Sequence, residues 1–162
     1  MENMVNWGGL AYDFLLKLLK WILVGLTAFL IVIVFFNVVG RYVFNFSLAW
    51  AEEASRFLFI WTILIGSVLT NEKYEHMNLD ILVHVLPARM GAAVQVFAQL
   101  VIIVVLGLII RGGVIATVEN IAWESPALEI PYGLIYSIVP FCCSIMLIQT
   151  VMRLVRILGG RR

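Results

Sequence analysis

Charge is scarce in this sequence, and three long stretches have none. Only 13% of the 162 residues are Asp, Glu, Lys or Arg, about half of what an ordinary soluble domain carries. No Asp, Glu, Lys, Arg or His occurs in Trp21 to Gly40, Met90 to Ile110 or Ile130 to Met152, runs of 20, 21 and 23 residues. A chain that is 63% hydrophobic, with a mean hydropathy of +1.04, cannot cover a globule with polar groups, so a water-soluble domain is excluded. A net charge of +1 gives no basic footprint for nucleic acid. Cysteine is limited to Cys142 and Cys143, whose adjacent helical side chains diverge, so neither a disulfide framework nor a zinc site is implied. The two histidines, His76 and His84, lie outside the apolar runs, which removes axial ligands for a buried haem. No nucleophile and base stand at useful spacing, so neither an enzyme nor a cofactor is expected.

What the sequence has in abundance is membrane-spanning helix. A hydrocarbon core of ~30 Å takes ~20 apolar residues at 1.5 Å each, and the three uncharged runs meet that length. The run Phe57 to Asn71 has 15 residues, ~22 Å of helix, and reaches the required length by borrowing Ala49 to Arg56. The expected fold is an all-α integral membrane protein, a single domain over 1–162 with spans at 21–40, 49–71, 90–110 and 130–152. Ahead of the first span, Trp7, Leu10, Ala11, Phe14, Leu15, Leu18 and Leu19 recur at helical spacing opposite Asp13, Lys17 and Lys20. Residues 1–20 therefore read either as an amphipathic lead-in helix on the membrane surface or as the start of a longer tilted span. The apolar run of the first span is too long for a signal-peptide core. Gly112-Gly113 either bends the third helix or lies within it as it runs on past the membrane.

With four crossings, the Lys and Arg residues divide eight to three between the two sides. The positive-inside rule then puts both termini in the cytoplasm; a three-span arrangement gives the same ratio with the N-terminus outside. Trp50 and Trp61 are placed as interface anchors. At the external end of the second span Glu52 and Glu53 precede Arg56 by four and three residues. They form either a solvated helix end or a docking surface for another polypeptide. In the cytoplasmic connection, the polar stretch with His76 and Asp80 leads into apolar positions at helical spacing, giving a short interfacial helix or a coupling element. Pro126 and Pro131 punctuate the external connection, and Pro140 bends the fourth span.

The segment Arg41-Tyr42-Val43-Phe44-Asn45-Phe46-Ser47-Leu48-Ala49-Trp50-Ala51-Glu52-Glu53-Ala54-Ser55-Arg56 resembles the signature of a known family. So, in order and spacing, do Phe57 to Trp61 with Gly66, His76-Met77-Asn78-Leu79-Asp80 leading to Leu86-Pro87, and Ser125 to Pro131 with Tyr136 and Pro140. The family is the DctQ-like small membrane subunit of tripartite ATP-independent periplasmic (TRAP) transporters. Tyr74-Glu75 before His76 departs from it, since smaller residues are expected there. The resemblance implies an accessory subunit in the bacterial inner membrane, serving the uptake of an organic acid such as a C4-dicarboxylate or sialic acid with sodium. Its implied partners are a large permease subunit and a periplasmic substrate-binding protein within the lipid bilayer. The candidate subunit-interface residues are Arg41, Trp50, Glu52, Glu53, Arg56, Trp61 and Gly66. The rival reading is a small self-assembling ion-coupled transporter or channel lined by Asn37, Gln95 and Gln99, the last two one helical turn apart.

Overall fold

In hydrocarbon a backbone has no water to bond, so an apolar run satisfies its N–H and C=O groups within its own helix. The computed structural model describes residues 2–46, 48–73 and 88–159, and among these it contains helices and turns but no strand. The helices are α1 (Glu2–Val43), α2 (Ala49–Lys73), α3 (Ala88–Glu119), α4 (Tyr132–Tyr136) and α5 (Ile138–Leu158). Four stretches are long and apolar enough to cross a membrane: Tyr12–Val43, Ala49–Glu72, Ala93–Glu119 and Tyr132–Leu158. The all-α, four-span fold class expected from the sequence is therefore present.

Two helices outrun the apolar segments that seeded them. Residues 2–43 form one unbroken helix of 42 residues, ~63 Å long, so the lead-in continues the first span without a break. The third helix also passes through Arg111 and the glycine pair without stopping and ends at Glu119. The expected connection from Arg111 to Glu129 shrinks accordingly.

The chain divides into two compact units, Met1–Leu69 with Ser125–Glu129, and Thr70–Glu124 with Ile130–Arg162. In the first unit a tight turn joins α1 to α2. The N–H groups of Phe44 and Phe46 donate to the Gly40 carbonyl at 3.2 and 3.0 Å, and the Leu48 N–H donates to Asn37 Oδ1 at 3.4 Å. Asn45 takes a left-handed φ of 50°, a conformation asparagine tolerates better than most residues. The turn leaves Tyr42, Phe44 and Phe46 exposed.

In the second unit α3 packs along α5, with α4 against the end of α3. Glycines set the approach. A Cβ on Gly133 would sit 2.5 Å from the Thr117 carbonyl oxygen and 2.8 Å from Ile121 Cα, and one on Gly113 would meet Pro140 Cδ at 3.0 Å. The reversal is tied by Gly133 N–H to Asn120 O at 3.0 Å and Tyr132 N–H to Trp123 O at 2.8 Å. Glu124 and Pro131 form an isolated antiparallel bridge. Pro140 does not bend its own turn: the interruption falls at Ser137, between α4 and α5. Proline has no N–H to donate to the carbonyl four residues back, Tyr136, so the helix breaks one turn upstream of the ring. Several hydroxyls are satisfied inside their own helices, as where Ser144 donates to Pro140 O at 2.6 Å and Thr150 to Met146 O at 2.8 Å. Such bonds let Ser and Thr lie in hydrocarbon without a partner helix.

Candidate functional site

The charged start of α2 is where the structure separates residues that the sequence groups. Successive helical side chains point ~100° apart, so Glu52 and Glu53 cannot share an environment. Glu52 is exposed, whereas Glu53 is only 8% exposed. The Glu53 carboxylate turns onto a five-residue turn of the same unit, where Oε2 accepts the N–H groups of Ala127 and Leu128, both at 3.1 Å.

Local chemistry explains why that turn presents two donors. Glu129 N–H closes it by donating to Ser125 O at 2.9 Å, and Ser125 itself is buried. Pro126 fixes its own φ and contributes no N–H, so Ala127 and Leu128 carry the first free donors after it. Glu129 leaves the turn with φ 54°, a strained conformation for a residue with a Cβ, so its surroundings must hold it. A carboxylate accepting two N–H groups makes charge-assisted hydrogen bonds, the stronger kind, and the positive end of the α2 dipole favours a carboxylate near the first turn.

The other sequence candidates are dispersed. Arg41 lies in the last turn of α1, where a cation suits the helix dipole. Arg41, Trp50 and Arg56 are exposed, and Trp61 is half-buried. Gly66 is half-buried, and a Cβ there would meet nothing within 4 Å. Of the three prolines singled out above, Pro126 shapes the Glu53 turn, Pro131 closes the α3–α4 reversal, and Pro140 sets the Ser137 break. His76 and Asp80 lie outside the described residues.

A second polar cluster, which the sequence reading missed, joins the end of α2 to α5 within the second unit. Asn71 Nδ2 donates to Gln149 Oε1 at 2.7 Å, and Arg153 Nη2 donates to the Asn71 carbonyl at 2.8 Å. The available signal was a pair of amides near the ends of two apolar runs, since such groups often join helices in lipid. Gln99 is wholly buried, with neither amide atom hydrogen-bonded, so it faces the packed interior; Gln95 is half-buried. Among the described residues the buried polar side chains are Glu53, Gln99, Ser125, Gln149 and Thr150. Glu53 is the one carboxylate in that set, and it is engaged by the chain's own backbone. No group of three or more His, Cys, Asp or Glu stands together among the described residues.

Comparison with known proteins gives consistent matches. Residues 30–160 match the family described as tripartite ATP-independent periplasmic transporters, DctQ component. A Haemophilus influenzae protein named as a TRAP transporter small permease protein is 33% identical over 123 residues, 76% of each chain. The C4-dicarboxylate TRAP transporter small permease protein DctQ of Vibrio cholerae is 38% identical over 56 residues, 35% of this chain and 24% of that one. The sialic acid TRAP transporter permease protein SiaT of Haemophilus influenzae is 30% identical over 100 residues, 60% of this chain but only 16% of that protein.

Proposed function

The chain belongs to the DctQ component family, the small permease proteins of TRAP transporters, and on that premise we propose that it is the scaffold subunit of an importer of an organic acid coupled to sodium. A large permease subunit carries the substrate and ion sites, and a periplasmic binding protein delivers the acid. The names of the relatives supply the substrate class: one is a C4-dicarboxylate transporter protein and another a sialic acid transporter protein. The large partner is supported by the match to a permease of which this sequence aligns with only 16%.

The observation that carries the scaffold reading is the fate of Glu53. Moving an anion or a cation through hydrocarbon needs charged or densely polar groups free to bind it. The buried carboxylate here is spent on Ala127 and Leu128, and the buried amides and hydroxyls are neutral. A transporter acting alone would leave its ligand unpaired in an apolar interior, at heavy cost. A subunit that holds a moving partner needs packing surface instead, and the exposed apolar flanks of α1, α2 and α3 provide it.

On this reading the chain lies in the bacterial inner membrane, and with four crossings the division of Lys and Arg puts both termini in the cytoplasm. Reporters fused after Gly9 and after Arg162 then report cytoplasm, and one placed in 120–124 reports periplasm; a periplasmic N-terminal signal contradicts this orientation. The scaffold reading is tested by purifying a tagged chain from membranes that express the whole transporter. A large multi-span protein co-purifies if the reading holds, and its consistent absence overturns it.

A further inference from the structure

In the second unit α3 and α5 run antiparallel, with Gly113 against Val139 and Pro140 and Phe97 and Leu100 beside Ile157. Thirteen positions along each helix from the Gly113–Pro140 contact, Leu100 on α3 stands level with Arg153 on α5. Arg153 marks one edge of the hydrocarbon, since it holds the Asn71 carbonyl at 2.8 Å and Glu72 and Lys73 follow at once. From that level α3 runs ~16 Å to Arg111 and ~12 Å more to Glu119, where it ends. The two lengths together match the ~30 Å of a bilayer core. Arg111 therefore lies near mid-depth. Sliding the bilayer until Arg111 reaches its surface instead sinks Glu72, Lys73, Arg153 and Arg156, four charges in place of one.

A guanidinium at that depth needs a counter-charge, because hydrocarbon does not solvate it. Arg111 is exposed, and among the described residues none bonds or pairs with it. Lipid headgroups are out of reach, since the side chain extends only ~7 Å, short of the nearer edge. A second copy of this chain offers no acid at mid-depth: Trp21 to Gly40, Phe57 to Asn71, Met90 to Ile110 and Ile130 to Met152 contain neither Asp nor Glu. The rest of the stripe fits a helix. Val104, Leu108, Ile115 and Val118 are exposed and, with Arg111, alternate at intervals of four and three residues, the spacing of a helix–helix seam. Gly107, one turn before Arg111, is exposed and has open space over its Cα, where another backbone can come close. We propose that Arg111 docks a membrane-spanning helix of the large permease that carries a carboxylate at mid-depth, forming an ion pair between the subunits. The proposal rests on the scaffold reading and adds to it the contact face and its chemistry.

The test purifies a tagged chain from membranes that express the whole transporter. The wild-type chain brings down the permease. Arg111→Leu leaves the permease carboxylate unpaired and lowers that recovery at least about tenfold, while the isolated variant keeps wild-type helix content by circular dichroism, because it only removes a charge from an apolar helix face. Arg111→Glu abolishes recovery, and exchanging one Asp or Glu in the permease spans for Arg restores it. Benzoylphenylalanine in place of Leu108, one turn away on the same stripe, photocrosslinks to the permease. Equal recovery with wild type and Arg111→Leu, the lack of any restoring exchange, or a crosslink only to lipid or to a second copy overturns the proposal and leaves the scaffold reading standing. If the wild-type chain itself brings down no permease, the scaffold reading fails and the proposal with it.

Discussion

Removing the Glu53 carboxylate frees the Ser125–Glu129 turn, and the size of the effect follows from its two bonds. Each N–H donates to the same oxygen at 3.1 Å, and a hydrogen bond to a charged group contributes about 1.5 to 3 kcal/mol when its partners are shielded from water. Ala127 is exposed and Leu128 half-buried, so water replaces part of the loss, and Glu53→Ala costs about 2 kcal/mol at this turn. That corresponds to roughly 30-fold faster opening. Glu53→Gln keeps an acceptor oxygen without its charge and costs about half as much. Glu52→Ala, one residue away and exposed, stays within about 0.5 kcal/mol. The assay is hydrogen–deuterium exchange of peptides covering 125–129 in the purified chain, with α3 peptides as an internal reference. Faster exchange confined to the turn, in the order Ala above Gln above wild type, is the expected result. Unchanged exchange in Glu53→Ala, or equal effects at Glu52 and Glu53, refutes the assignment.

Gly66→Ala adds a Cβ into open space within a helix and raises the thermal stability of the isolated chain by about 0.5 to 1 kcal/mol. If α2 meets the permease there, Gly66→Phe in the whole transporter lowers co-purification while leaving the isolated chain folded. Gly133→Ala drives a Cβ against backbone atoms of α3 that cannot move aside and costs about 3 kcal/mol, read as a lower melting temperature in detergent; an unchanged temperature contradicts the packing described. Arg56→Glu leaves the exposed helix end of the isolated chain within about 1 kcal/mol of wild type, yet reduces uptake by the assembled transporter if Arg56 meets a buried partner charge. Normal uptake at wild-type levels removes Arg56 from the interface.

The four spans were legible because hydrophobic length is a local property of sequence, and Trp21 to Gly40 needs nothing distant to declare itself. Helix ends were less so. Arg111 and Gly112-Gly113 look like a stop, but Arg111 stays exposed and Gly113 is required where Pro140 presses close, so the helix runs through. The break at Ser137 carries no mark of its own and is set by the proline three residues later. Glu53 was the hardest case, since its neighbours Glu52 and Arg56 suggested a surface pair. Its true partners are backbone N–H groups 74 and 75 residues away, donors that every non-proline residue offers and no side-chain pattern reveals. The Asn71–Gln149 bond spans 78 residues and was hidden for the same reason: an amide in an apolar run announces a need for a partner without naming it.

The central claim is that this chain supports a transporter without providing the path for its substrate. Reconstitution into liposomes tests it directly, with radiolabelled C4-dicarboxylate and sialic acid uptake measured under an inward sodium gradient for the chain alone and for the chain with its large permease and binding protein. The account predicts no saturable uptake by the chain alone and sodium-dependent uptake of an organic acid by the complete set. Saturable uptake of an acid or an ion by the chain alone would contradict it.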